Sequence, residues 1–284
     1  MKISIVTVCK GRLHHLRQTA PLIAAQQPDE HIIVDYDCQD HCGDWVERNL
    51  PSASVVRATD PRGFCLSRGR NLGATAATGD FIFFMDADIL IEPGLIDWIR
   101  ANVQPDGFYI SPHFPEGARS ETEGSFVCAR PLFESVGGYD EAIRTWGRED
   151  SDLYMRLQEV AAYRRLPAGT VTAIRHDNAE RTLEYDSGPL DAVLARTALY
   201  VRIKHEAGRH VPIQHRLCCR EALFAQTAGD FGRKSAFGRQ SRTARFRLRC
   251  EECVGRGETQ RFFNMQWVRR YRFFGPKVLK TWMD

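Results

Sequence analysis

The chain has 284 residues with 39 Lys and Arg against 36 Asp and Glu, a net charge of +3, and 43% hydrophobic residues. That is ample chain for a substantial core, so one large α/β domain with an appendage is the natural expectation. No run approaches 18 apolar residues, which excludes a transmembrane helix, and Met1-Lys2 leads straight into an apolar stretch too short for a signal peptide.

The even overall charge conceals a division. Residues 201–284 carry 19 Lys and Arg against 7 Asp and Glu, whereas the first 200 residues carry 20 against 29. Two regions with different partners are implied, with a boundary at the Gly188-Pro189 break. We therefore expect a domain over 1–187, with a nucleotide-binding half to about 111 and an acceptor half over 112–187, and a basic, mainly helical region over 188–284. Nine cysteines without an export signal point to reduced thiols and a cytoplasmic protein, placed in the cytosol or at the inner face of the membrane. Cys9 and Cys128, on apolar runs, read as small buried hydrophobes.

In chain order, apolar runs predict strands over 2–8, 31–36, 53–57, 81–85, 107–111 and 124–129. Between them, 12–26 shows a helical face of Leu13, Leu16, Ala20 and Ile23. Residues 67–77 form a second, small-residue helix, and Pro93 opens a third carrying Leu95, Ile96, Ile99 and Val103. Strands alternating with helices imply a mostly parallel sheet covered on both faces. Gly137-Gly138 marks a turn, 149–160 is helical, and after Pro189 helical spacing resumes through Leu190, Val193, Leu194 and Val201. Further helices are read over 214–228 and 260–274. On the latter, Phe263, Trp267, Tyr271 and Phe274 share a helical face flanked by Arg269, Arg270 and Arg272, a pattern suited to a membrane interface or to packing on the chain's own domain.

The chemistry concentrates at the end of the fourth strand, where Phe81-Ile-Phe-Phe-Met runs into Asp86-Ala87-Asp88. Open α/β sheets bind ligands at the carboxyl edge of their strands, and paired hard oxygens there suit Mg²⁺ or Mn²⁺ bridging to a diphosphate. Upstream lie a strand running into Thr7-Val8-Cys9-Lys10-Gly11-Arg12, a second strand ending Asp35-Tyr36-Asp37, and a helix carrying Arg70. Downstream come Trp146-Gly147-Arg148-Glu149-Asp150 and then His176. In this order the motifs resemble an inverting glycosyltransferase of family 2 with the GT-A fold, a Rossmann-like mostly parallel sheet. The Trp146 segment and the later His are similar to the β-1,4-galactosyltransferase C-terminal domain and the chondroitin-polymerase type. The resemblance covers residues 1–185.

The resemblance implies a UDP-linked galactose, N-acetylgalactosamine or N-acetylglucosamine as donor and a saccharide or glycolipid hydroxyl as acceptor. It makes Asp88 a direct metal ligand and His176 another, with His113 a lesser rival. Asp86 reaches ribose, or the metal through water, and Ala87 lies against the donor. Mixed His and carboxylate ligation favours Mn²⁺ over Mg²⁺. Thr7, Lys10 and Arg12 wrap the nucleotide, and either Asp35 or Asp37 accepts the base N–H. The intervening Tyr36 departs from the family's adjacent acids and leaves the choice open. Arg70 approaches base or phosphate, or else forms a structural ion pair. Asp150 is the general base, Glu149 binds acceptor or donor hydroxyls, and Trp146 with Gly147 offers a lid that stacks on a sugar.

Rival classes are a nucleic-acid-binding module, a sugar-1-phosphate nucleotidyltransferase and a sugar-nucleotide binder without activity. The first would gain support from zinc at Cys250 and Cys253 with the adjacent Cys218-Cys219 pair, but that spacing matches no zinc ribbon or finger.

Overall fold

The computed structural model describes residues 1–112, 121–176, 180, 182–185, 189–208, 224–225, 243–250, 261–268 and 277–283. They fall into two compact units, Met1–Ser187 and Gly188–Asp284.

The first unit opens with a strict alternation: β1 (Ile3–Cys9), α1 (Leu13–Ala25), β2 (Glu30–Tyr36), α2 (Cys42–Asn49), β3 (Ala53–Ala58), α3 (Leu66–Ala76) and β4 (Phe81–Asp86). It continues through β5 (Ile89–Ile91), α4 (Leu95–Asn102), β6 (Gly107–Ile110), β7 (Phe126–Ala129), α5 (Arg130–Ser135), α6 (Glu149–Gln158), β8 (Ala162–Arg165) and β9 (Val171–Ala173). Seven strands form one sheet in the order β3-β2-β1-β4-β7-β6-β8. β3, β2, β1 and β4 run parallel, while β7 lies antiparallel between β4 and β6, making the sheet mixed but mainly parallel.

The apolar runs are explained by burial on both faces. On one face Ile3, Ile5, Phe83 and Met85 pack with Leu95, Ile96 and Ile99 of α4. On the other, Val6, Ile82 and Phe84 pack with Phe126, Phe133, Tyr139 and Leu153. Phe84 stacks on Phe126 at 5.1 Å between ring centres. Cys9 and Cys128 are fully buried, as expected for small apolar side chains.

β5 and β9 form a separate antiparallel ribbon, with Ile89 opposite Ala173 and Ile91 opposite Val171. Neither was expected, and nor was α2, whose Cys-Gly-Asp-Trp-Val-Glu-Arg-Asn sequence has little apolar periodicity.

The second unit departs from the expected helical extension. Its described residues hold one helix, α7 (Leu190–Gly208), and an antiparallel sheet of β10 (Thr243–Cys250), β11 (Arg261–Val268) and β12 (Lys277–Met283). The helix read over 260–274 is a strand from Arg261 to Val268, so no amphipathic helix crosses those residues. The physical reason lies in the sequence: Phe263, Met265 and Trp267 alternate with Asn264 and Gln266, a period of two rather than 3.6. β11 pairs along both edges, with Leu248 opposite Phe263 and Thr281 opposite Met265. The expected helix at 214–228 falls almost wholly outside the described residues, as do Cys218, Cys219, Cys253 and His113. Among the described residues no helix is long and apolar enough to cross a membrane.

In the first unit α3 lies directly on the sheet because it presents glycines to it. A Cβ at Gly73 would stand 2.3 Å from Val6 Cγ1 and 3.1 Å from Val34 Cγ2, and one at Gly69 would stand 2.8 Å from Val8 Cγ1. Alanine gains about 1 kcal/mol of helix propensity over glycine, whereas overpacking a rigid core costs about 1–3 kcal/mol. At 2.3 Å from a branched, buried side chain the second effect wins. Gly73→Ala is therefore expected to lose about 1–2 kcal/mol net, read as a lower Tm in thermal unfolding; an unchanged or raised Tm would show that α3 can lift from the sheet without penalty.

Candidate active site

β1, β2 and β4 end side by side at Cys9, Tyr36 and Asp86, and the chain leaves β1 toward β2 on one flank while β4 closes the other. This is the switch point at which doubly wound sheets leave a crevice. The Asp86-Ala87-Asp88 turn at its floor is pinned by α1, because the Thr19 hydroxyl donates to the Ala87 carbonyl at 2.9 Å. Ala87 itself is buried.

Asp88 and His176 meet through the β5–β9 ribbon. Its register continues one residue outward, where the Ile174 N–H donates to the Asp88 carbonyl at 2.8 Å. Two residues further on, His176 Nε2 contacts Asp88 Oδ2. His176 Nδ1 is buried without a hydrogen-bond partner among the described residues. A carboxylate oxygen and an imidazole nitrogen thus converge at the sheet edge, a donor pair that fits a divalent cation.

Asp86 points elsewhere. Its Oδ1 accepts from Arg70 Nη2 at 2.6 Å, and Arg70 Nη1 reaches Asp150 Oδ1 at 2.8 Å and Glu149 Oε1 at 3.4 Å. The Arg70 guanidinium lies over the Tyr139 ring, 4.8 Å from its centre, and the Tyr139 hydroxyl donates to Asp150 Oδ1 at 3.1 Å. Arg70 is buried and paired with three carboxyl groups, which makes it an ion-pair hub. Gly124 makes room for it: a Cβ there would stand 2.3 Å from Asp86 Oδ2 and 2.5 Å from Arg70 Nη2. Neither Gly124 nor Tyr139 was singled out in the sequence, where nothing distinguishes them from an ordinary turn glycine and core aromatic.

Glu149 and Asp150 open α6 after two consecutive left-handed residues, Gly147 at φ 87° and Arg148 at φ 78°. That turn carries Trp146, which is half-buried rather than fully exposed. Placement at the first turn of a helix favours carboxylates, but burial acts the other way. Burial raises the Asp150 pKa, with Asp86 adding to it and Arg70 and the Tyr139 hydroxyl opposing.

The nucleotide-side residues divide into three groups. Thr7 is buried on β1 with Oγ1 3.3 Å from His31 Nε2. Asp35 is also buried; its carboxylate accepts the N–H groups of Cys38 at 2.9 Å and Gly43 at 3.1 Å and pairs with Arg57. Asp37, by contrast, is exposed at the strand end with φ 50°. Lys10 Nζ bridges the same edge, donating to the carbonyls of Tyr36 at 3.3 Å and Asp37 at 2.9 Å. Arg12 is taken up by Glu180, whose Oε1 is shared with His15 Nε2 at 2.8 Å and His14 Nε2 at 3.0 Å. Those contacts hold Glu180 well below its ordinary carboxylate range, at about 2, against the burial that opposes it. The His14–His15–Glu180 group was not anticipated, and His15 lies beside His176 with ring centres 5.1 Å apart.

Residues 4–110 match the family model described as glycosyl transferase family 2, and residues 110–177 match the model described as the N-terminal domain of galactosyltransferase. The two meet end to end and span the whole crevice. The first unit is a glycosyltransferase domain. No curated protein matches the sequence. Among solved structures the chain is similar in fold to S. aureus TarS in complex with UDP-GlcNAc, at 14% identity and TM-score 0.58 over 85% of this chain and 74% of TarS. It is also similar to the mannosyltransferase PcManGT from Pyrobaculum calidifontis in complex with GDP-Man and Mn²⁺, at 16% identity and TM-score 0.51 over 84% of this chain and 76% of that one. A third likeness is to GalNAc-T7 with UDP, GalNAc and Mn²⁺, at 15% identity and TM-score 0.55 over 97% of this chain and 66% of GalNAc-T7. These likenesses establish the GT-A fold.

Within the glycosyltransferase domain Glu149 is the most perturbed carboxyl with a direct bearing on pH. Burial, with Asp150 beside it, pushes it up to about 8, Arg70 opposing, and its Oε2 has no hydrogen-bond partner among the described residues. A carboxyl raised on folding binds more protons in the native state, so its stabilising contribution is complete below about pH 4.5 and is lost as pH rises toward about 8. Glu149→Gln is expected to flatten that decline: the Tm of the variant should fall less than that of the wild type across this interval. Parallel melting curves would show that Glu149 is ionised in the native domain.

Proposed function

We propose that this glycosyltransferase is a metal-dependent inverting enzyme that moves galactose, N-acetylgalactosamine or N-acetylglucosamine from a UDP-sugar to a saccharide hydroxyl. The observation that carries the proposal is the convergence, at one sheet edge, of the Asp88–His176 pair with the Asp86–Arg70–Asp150 network. Asp88 and His176 would hold Mn²⁺, since imidazole with carboxylate suits that ion better than Mg²⁺. Asp86, engaged with Arg70 through Oδ1, is left to ribose or to the ion through water. When bound, the ion supplies Lewis-acid stabilisation of the charge on the departing diphosphate.

The chain's own groups account for the rest. Asp37, exposed where Asp35 is committed to main-chain N–H groups, is the better partner for the base N–H. Lys10 fixes the strand ends around it, and Ala87 gives the donor a small surface to lie against. Both hydrogen bonds to Asp150 fall on Oδ1, which directs Oδ2 toward the acceptor hydroxyl whose proton it takes as the oxygen attacks the anomeric carbon. A raised pKa makes Asp150 a stronger base than an ordinary aspartate. Glu149, neutral below about pH 8, donates a hydrogen bond to a sugar hydroxyl. Trp146, on the Gly147–Arg148 turn, offers its indole to a sugar face, and closure of that turn would exclude water.

Calorimetric titration of UDP with and without Mn²⁺ tests the donor side. Wild type should bind UDP in a Mn²⁺-dependent manner and Asp88→Ala should lose the dependence; equal binding by the two proteins would remove the metal assignment. On the acceptor side, Asp150→Asn should lower kcat by about 10²–10⁴-fold with donor affinity unchanged. Near-normal turnover in that variant would place the base elsewhere.

A further inference from the structure

Beside the crevice, at the ends of β1 and β2, three cysteines that the proposed reaction does not use converge. Cys9 closes β1, Cys38 follows β2, and Cys42 is the first residue of α2. All three are buried, and their sulfurs lie within 4.8 Å of one another. The convergence is enforced by the backbone. Asp35 gathers the N–H groups of Cys38 and Gly43, and the His41 N–H closes on the Cys38 carbonyl at 2.9 Å, which folds residues 35–43 back over the end of β1.

We propose that Cys9, Cys38 and Cys42 form a tri-thiolate site for Zn²⁺, which ties the ends of β1 and β2 to the start of α2. Three sulfurs at Zn–S distances of about 2.3 Å stand about 3.8 Å apart in a tetrahedral arrangement, so the observed spacing needs a contraction that side-chain rotation supplies. Two features mark the sulfurs as more than apolar filler. The Gly11 N–H donates to Cys38 Sγ at 3.3 Å, an interaction that stabilises a thiolate. Cys42 opens α2, and its Sγ donates to the Cys9 carbonyl at 3.8 Å, which draws the two cysteines together. A disulfide between any two of the three would leave the third thiol buried beside it, whereas one ion engages all three. On the core side Leu13, Leu16, Val46 and Leu50 pack around them. Binding displaces the thiol protons to solvent and leaves a fourth position for water.

The test uses the full chain with Cys218, Cys219, Cys250 and Cys253 changed to Ser, so that thiols of the second unit do not contribute. Purified from zinc-supplemented culture, this protein should hold one Zn²⁺ per chain with three sulfurs in its X-ray absorption shell, and chelation should lower its Tm. Replacement of the ion by Co²⁺ should produce a sulfur-to-metal charge-transfer band that Cys38→Ser and Cys42→Ser each abolish. Zinc with a shell of nitrogen and oxygen, which is the signature of the Asp88–His176 pair, would overturn the proposal, as would a band surviving Cys38→Ser. If the single variants fail to fold, the sulfur count in the parent decides alone. None of these outcomes depends on the donor sugar or on turnover.

Discussion

Everything at the crevice turns on one buried cation. Arg70 comes from α3, Asp86 from the end of β4, and Glu149 with Asp150 from the start of α6, elements far apart in the chain. A guanidinium removed from water costs several kcal/mol in effective desolvation, and three carboxylates crowded without it would repel one another. Neither set is tolerable alone, and together they leave a net negative pocket. α3, the end of β4 and the start of α6 are therefore held in register by electrostatics as much as by packing. Gly124 and Tyr139 belong to the same device: one leaves space, and the other supplies a π face and a hydroxyl.

A second constraint separates carboxylates that look alike in the sequence. Asp35 and Asp37 are two residues apart on the same strand end, yet one is sealed under Cys38, Gly43 and Arg57 while the other faces outward. Asp86 and Asp88 divide in the same way, the first toward Arg70 and the second toward His176. In both cases two acids with one residue between them take opposite environments. Glu180 extends the pattern by drawing Arg12, His14 and His15 onto one carboxylate.

The parallel core was legible because strands buried on both faces read as unbroken apolar runs, and β1, β2 and β4 are such runs. Family-level order then singled out Asp86, Asp88, Asp150 and His176, which the structure brings to one sheet edge in two contact groups. What escaped the sequence was short or polar. β5 and β9 have three residues each, too few for any period, and α2 hides its buried face behind Gly43 and two acids. β10 to β12 were misjudged because Phe263, Trp267 and Tyr271 also fit a helical spacing, and only pairing with neighbouring strands separates the two periods. The roles of Thr7 and Arg70 were not legible, since inward or outward orientation and the identity of an ion-pair partner are decided by tertiary contacts.

The β5–β9 ribbon has an evolutionary consequence. Residues 92–170, which include β6 to β8 and the Trp146–Asp150 segment, form an excursion whose two ends are clasped by three paired positions. Because the clasp sets Asp88 against His176 by strand register alone, the loops of the excursion can lengthen, shorten or change sequence without moving that pair. A slip of one residue in the clasp, however, would turn every ribbon side chain to the opposite face and separate Asp88 from His176. Such an arrangement lets the excursion vary while the Asp88–His176 contact stays fixed, a modularity that resides in six residues of backbone pairing.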